Sequence, residues 1–277
     1  MKEDLGLKFL YRTVPGRVLL RLMTGRGISK LCGRFLDSRI SVLLIRGFVK
    51  KNGIRPEDYV SRKYSSFNQF FYRKIKPELR SFSMNPKDFI SPCDGHLSAF
   101  RIRDGLVLPV KQSRYGINDL LGDNRAADRY KDGICLVIRL CMDNYHRYHY
   151  SDNGVITDNG FIAGELHTVR PVALADIPVF VRNCREYTVM ETENFGTVTQ
   201  IEVGAMLVGR IVNYKHSGQF IKGEEKGRFE YGGSTVILLL EKDRVRLEER
   251  FFENTLKGIE TKVYMGNTLG TAGGIIK

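Results

Sequence analysis

Only five histidines occur in the 277 residues, and two of them stand three apart in Tyr145-His146-Arg147-Tyr148-His149. Imidazole is the side chain best suited to moving protons near neutral pH. In a helix, a spacing of three would put both rings on one face. Metal binding is a rival chemistry, although no third His or Cys stands at a recognisable ligand spacing; ordinary structural histidines are another. A second segment, Ser91-Pro-Cys-Asp94-Gly95, reads as a tight turn that projects a carboxylate, or simply as a turn. A third, Tyr231-Gly232-Gly233-Ser234-Thr235, leads into the apolar run 236–240. Glycine lacks Cβ, so the backbone there can take unusual angles and another group can come close to the peptide. A serine hydroxyl attacking the carbonyl of its own preceding residue would need that freedom. A glycine hairpin before a core strand would look the same.

The elements that must position these groups differ along the chain. Residues 1–60 read as helical, with Val18, Leu19, Leu22 and Met23 in one apolar cluster among Arg17, Arg21 and Arg26. A second cluster, Phe35, Leu36, Ile40, Leu43, Leu44 and Phe48, is flanked by Arg34, Arg39, Arg46, Lys50 and Lys51. This spacing suits an amphipathic helix in a membrane interface, and equally helices packed on the body with arginine outside. Phe67 to Arg73 reads as a short aromatic helix. Beyond Pro86, β-branched runs alternate with Gly, Asp and Asn turns, predicting strands at 134–140, 155–162, 198–203, 205–212 and 236–240. The expected class is α+β: a basic amphipathic helical region over 1–63, associated with a membrane, then a β-rich catalytic body over 64–277.

Charge follows the same division. Of the net +13, residues 1–63 contribute +10, from fifteen Lys/Arg against five Asp/Glu. A basic end on a near-neutral body points to an anionic surface, lipid or nucleic acid. The near-neutral body argues against a dedicated nucleic-acid surface. No uncharged apolar run reaches the length of a membrane span, and the start does not read as a secretory signal. The five scattered cysteines form no C-x-x-C pair, which disfavours zinc and redox motifs and suggests free thiols in a reducing compartment.

Together and in order, these segments resemble the phosphatidylserine decarboxylase family. Phe67-Asn-Gln-Phe-Phe-Tyr-Arg73 with Arg80 is similar to its F-x-x-F-F-x-R; Ser91 to Gly95 to its S-P-x-D-G; and Tyr145 to His149 to its Y-H-R-x-H. Phe195-Gly196, Val203-Gly-Ala205 and Val208-Gly209 resemble its F-G, V-G-A and V-G. Lys222-Gly-Glu-Glu-Lys-Gly-Arg-Phe229 resembles K-G-x-E-x-G-x-F, and Gly233-Ser234-Thr235 its G-S-T. Two positions depart: Gly232 replaces a frequent Leu, and Asn144, after Asp143, replaces a frequent Asp.

The resemblance implies a proenzyme in which Asp94, His149 and Ser234 form a charge relay for self-cleavage between Gly233 and Ser234. Residues 1–233 become the β chain and 234–277 the α chain, paired as a heterodimer. Ser234 becomes a covalent pyruvoyl group, the pyruvate cofactor, which forms a Schiff base with phosphatidylserine and accepts electrons as carbon dioxide leaves. His146 is a candidate proton donor for that step. No metal or nucleic acid is implied. The protein would sit peripherally on the cytoplasmic face of the cell membrane, on its anionic surface. Two alternatives stand beside this reading. One is a serine hydrolase using Asp94, His149 and Ser234 without self-cleavage, although Ser234 lies outside a G-x-S-x-G elbow. The other is a non-enzymatic module that binds nucleic acid or membranes through the basic N-terminus.

Overall fold

The computed structural model describes residues 9–11, 13–23, 26–103, 106–110, 113–122, 128–169, 178–205, 210–230 and 234–273. The start of the chain, Val208-Gly209, and Tyr231, Gly232 and Gly233 lie outside the described residues. The helices are α1 (Val14–Met23), α2 (Arg26–Asp37), α3 (Leu43–Asn52), α4 (Phe67–Phe71), α5 (Ile117–Leu121), α6 (Val179–Arg182) and α7 (Glu249–Leu256). The strands are β1 (Asp88–Ile90), β2 (Gly95–Arg101), β3 (Leu106–Val110), β4 (Ser113–Gly116), β5 (Ile134–Leu140), β6 (Arg147–His149), β7 (Gly154–Ile162), β8 (Arg185–Thr192), β9 (Gly196–Val203), β10 (Ile211–Asn213), β11 (Gly218–Phe220), β12 (Glu225–Phe229), β13 (Ser234–Leu240), β14 (Val245–Leu247), β15 (Thr261–Val263) and β16 (Thr268–Ala272).

The sequence of β13, STVILLL, is almost unbroken apolar residue, and a strand of that kind is stable only where both its faces are covered. It lies inside an eight-stranded sheet of order β11-β7-β8-β9-β13-β5-β2-β15, whose paired neighbours all run antiparallel. One face of β13 carries Val236, Leu238 and Leu240 and packs with Leu136, Ile138, Tyr148 and Phe229. The other carries Ile237 and Leu239 and packs with Val137, Ile201, Phe180 and Ile117. Two three-stranded sheets, β10-β12-β6 and β1-β16-β14, contribute side chains to the first of these cores, and β3 pairs with β4. The run expected over 205–212 is not one described strand: Ala205 forms only a bridge, and β10 begins at Ile211.

A buried ion pair joins β12 to β9. Lys226 and Glu202 are both wholly buried, 2.8 Å apart, and Asn213 Oδ1 accepts from the same ammonium at 2.7 Å. Breaking such a pair from one side costs about 3–5 kcal/mol, because the remaining charge has no water to return to.

The N-terminal helices pack on the body through one face. Leu36 is buried, and Phe48 meets Phe67 and Phe70 edge-on at 5.1 and 6.0 Å. That face belongs to a core that also contains Phe71, Ile75 and Tyr145. Gly53, in the left-handed conformation, ends α3 by donating to Val49 O, as a C-terminal glycine cap does. Ser66 starts α4 by accepting from Gln69 N at 3.1 Å. The opposite face leaves Leu31, Ile40 and Leu43 exposed, at 68%, 69% and 81%. The class is a helical N-terminal part and a β-rich body, as expected. No helix among the described residues is long and apolar enough to cross a membrane. All five cysteines are free thiols.

Candidate active site

Asp94 sits in a turn pressed onto β5. A Cβ on Gly95 would meet Ile138 Cγ2 at 2.6 Å and Arg139 O at 2.9 Å, so only glycine allows the turn to come this close. Ser91 Oγ donates to Cys93 O at 2.8 Å, and Ser91 N donates to Asn267 O at 2.8 Å. The Asp94 carboxylate is buried. Its Oδ1 accepts from Arg80 Nε at 2.8 Å and from Met265 N at 2.9 Å, and its Oδ2 accepts from the Arg80 guanidinium at 2.6 Å.

The two histidines do not share a helical face, because their segment is extended: Arg147–His149 is β6, paired with β12. The helical spacing therefore does not apply. His146 lies against Phe71, with ring centroids 4.0 Å apart, and its Nδ1 meets Asn144 O at 2.9 Å. A carbonyl can only accept, so Nδ1 carries the proton and Nε2 presents a lone pair, buried and without a partner. Burial, helped by the charge of Arg73, pushes His146 down to about 3. The ring can take a proton at Nε2, and can donate from there only after taking one. His149 stacks on Tyr145 at 5.9 Å, and its Nδ1 is also buried and without a partner. Burial holds His149 down at about 4, against the pull of Glu225 and, more weakly, of Asp94.

Ser234 is the first residue of β13 and is wholly buried. Its Oγ has no partner, and neither has Thr235 Oγ1. Three contacts bring the separate segments together. Ser234 pairs with Leu140 at the end of β5, and the β2–β5 register, continued by one residue from the His96–Arg139 pair, sets Gly95 beside the same Leu140. His149 N donates to Pro92 O at 2.9 Å. Alternation along β13 puts the Ser234 side chain on the face of Val236, Leu238 and Leu240, the face covered by Tyr148 and Phe229. No hydrogen bond joins Asp94, His149 and Ser234: Arg80 and Met265 N bind the carboxylate, and His149 Nδ1 and Ser234 Oγ have no partner.

Several supporting residues were legible only as members of a pattern. Arg73 is 2% exposed and donates to Phe71 O at 3.3 Å and Asp143 O at 3.1 Å, tying α4 to the turn that carries His146. Arg80 stands outside the Phe67–Arg73 run, and nothing in the spacing marks its pairing with Asp94. The segment 222–229 proves to be scaffolding for β6. Lys222 donates to Asp88 O at 2.6 Å, Glu225 pairs with Arg147, and a Cβ on Gly227 would meet Val212 O at 2.3 Å. Among the described residues, no group of three His, Cys, Asp or Glu is placed to hold a metal ion.

The family model described as phosphatidylserine decarboxylase matches residues 67–271. "Phosphatidylserine decarboxylase proenzyme 2" of Clostridium acetobutylicum is 42% identical over 265 residues, covering 95% of this chain and 91% of the relative. The phosphatidylserine decarboxylase proenzymes of Ruminiclostridium cellulolyticum and Clostridium botulinum are 42% and 38% identical over 270 and 272 residues. They cover 95% and 96% of this chain, and 90% and 92% of their own lengths. The match runs through every segment gathered around Ser234, and the chain belongs to the phosphatidylserine decarboxylase family.

Proposed function

We propose that this chain is made as a precursor, cuts itself between Gly233 and Ser234, and then decarboxylates phosphatidylserine to phosphatidylethanolamine. The observation that carries this reading is Ser234 itself: a buried hydroxyl without a partner, at the first residue of the central strand, in a chain whose relatives are named proenzymes. The hydrolase alternative is not supported. The family model and the relatives are named for decarboxylation of phosphatidylserine, and the relatives are proenzymes.

In this reading His149, kept neutral by burial, takes the Ser234 hydroxyl proton, and the alkoxide attacks the Gly233 carbonyl. The amide becomes an ester. Loss of the Ser234 α-proton expels the Gly233 carboxylate and leaves dehydroalanine, and water then replaces its nitrogen, which departs as ammonia. The new α chain keeps its place because β13 is hydrogen-bonded on both edges, to β5 and to β9. Its β15 and β16 also pair with β2 and β1 of the β chain, which favours a lasting heterodimer. The pyruvoyl group so formed supplies an electrophilic carbonyl and an electron sink for the loss of carbon dioxide. The site fits this group: the Ser234 hydroxyl, lost as Cβ becomes a methyl, has no partner to lose, and the new carbonyl stands on Cα where the nitrogen was, beside the unpartnered hydroxyl of Thr235. His146, once loaded at Nε2, is the proton donor.

The test is the intact mass of the denatured protein, where two chains corresponding to residues 1–233 and 234–277, the second with a blocked end, are expected. Following that mass with pH tests the base. The folded His149 lies below its ordinary 6.5, at about 4, so cleavage should keep its rate from neutral pH down to about pH 5 and fall towards pH 4. Stability moves in the same direction. The unfolded chain binds the proton more readily, so stability declines as pH falls from 6.5 towards 4. A cleavage rate that halves near pH 6.5 would remove His149 as a buried base.

The N-terminal helices are the proposed membrane anchor, on the cytoplasmic face. Ile40 and Leu43 stand out at 69% and 81% exposure, with Arg39 and Arg46 nearby. That is apolar surface with a basic rim, suited to anionic lipid. Deleting residues 1–50 should abolish binding to phosphatidylserine vesicles in a sedimentation assay. The milder Ile40→Ser/Leu43→Ser should weaken it about tenfold or more, given roughly 1.5–3 kcal/mol for each large apolar side chain. Unchanged binding in both would leave the helices a packing role only.

A further inference from the structure

We infer that Arg80 is a positioning residue for self-cleavage, one that sets Asp94 for His149; the inference rests on the relay proposed above. A carboxylate offers about four acceptor positions. On Asp94 three are taken: two on Oδ1, by Arg80 Nε at 2.8 Å and Met265 N at 2.9 Å, and one on Oδ2, by the Arg80 guanidinium at 2.6 Å. The position left open is on Oδ2. Across the Pro92–His149 backbone bond stands a buried ring nitrogen, His149 Nδ1, that lacks a partner. One open acceptor and one empty donor site lie on neighbouring segments, and the fork of Arg80 fixes the plane of the carboxylate between them.

The fork is itself fixed. Arg80 Nη1 donates to Leu79 O at 2.7 Å, and the guanidinium lies 4.6 Å over the Tyr264 ring. The Arg80 and Asp94 side chains are 15% and 3% exposed, so the pair is largely shielded from water. Two parallel bonds from a planar group set an orientation that a single ammonium cannot. Arg80 also offsets part of the charge on Asp94, so the service Asp94 renders to His149 is mainly alignment of the ring. Arg80 reaches neither ring nor hydroxyl, and acts only through Asp94.

The test is the first-order rate at which freshly made full-length chain is cut, read on a denaturing gel. Arg80→Ala should slow it about a hundredfold, the scale of a misplaced catalytic group. Arg80→Lys, which keeps the charge without the fork, should slow it about tenfold. Non-denaturing guanidinium chloride should speed Arg80→Ala, while sodium chloride at the same ionic strength should not; a purely structural loss would not respond in this way. Should Arg80→Ala fail to fold, Arg80→Lys carries the test alone. A wild-type rate in either variant overturns the role of Arg80 and leaves the proposed function standing. A slow Arg80→Ala that neither guanidinium nor lysine improves also overturns it. A wild-type chain that is never cut sinks both.

Discussion

Ser234→Ala is expected to give a single uncut chain with no decarboxylase activity. Loss of the nucleophile in a serine-type relay lowers the rate on the order of 10⁶, which on any practical time scale leaves no product. The substitution separates chemistry from folding unusually well. The Ser234 side chain is wholly buried and its Oγ has no partner, so the change removes an unsatisfied polar atom and leaves a methyl of nearly the same size. Stability should hold or rise by about 1 kcal/mol. The paired register of β13 with Leu140 uses only the backbone and is kept. A thermal melt at or above wild type, together with one band on a denaturing gel, is the expected pair of results. Two bands in that variant would move the cleavage site elsewhere and refute the assignment of Ser234.

His149→Ala and Asp94→Ala are expected to block maturation as well, for different reasons. His149 is the base of the proposed relay, kept neutral by burial. Without it the hydroxyl proton has no acceptor, and the loss should approach that of Ser234→Ala. Asp94→Ala removes the ring's orienting group, for which a loss of about 10⁴ is the precedent in serine-type relays. It also leaves the Arg80 guanidinium beside a shielded cavity without its counter-ion, so some stability is lost as well. Asp94→Asn, which keeps the volume, is the control that separates the two effects. Each variant is checked by cleavage half-time beside a melting curve. Normal cleavage in either alanine variant would strike that residue from the relay.

These results would also bear on the resting state. In the uncut chain the relay is open, with Asp94 on Arg80 and with His149 Nδ1 and Ser234 Oγ unmatched. Two buried polar atoms without partners are costly, and closing the relay would satisfy both.

Much of this protein was determined by local sequence. The run 134–140 became β5 residue for residue, and 236–240 became the last five residues of β13, because a strand buried on both faces is apolar at most positions. The turn at Asp94 was legible from Pro92 and Gly95, and the helical start from its apolar spacing, because backbone preference and periodicity are properties of neighbouring residues. The tertiary structure decided which partner each reactive group meets. The histidine pair was parted because β12 captures Arg147–His149 as a strand, and pairing with a segment some eighty residues away overrides any helical spacing. Asp94 went to Arg80, and Lys226 to Glu202, because charges taken out of water must find a counter-charge wherever the packing of distant segments supplies one. Short-range rules select the residue types, whereas the pairing of buried polar groups is settled only when the strands are in register.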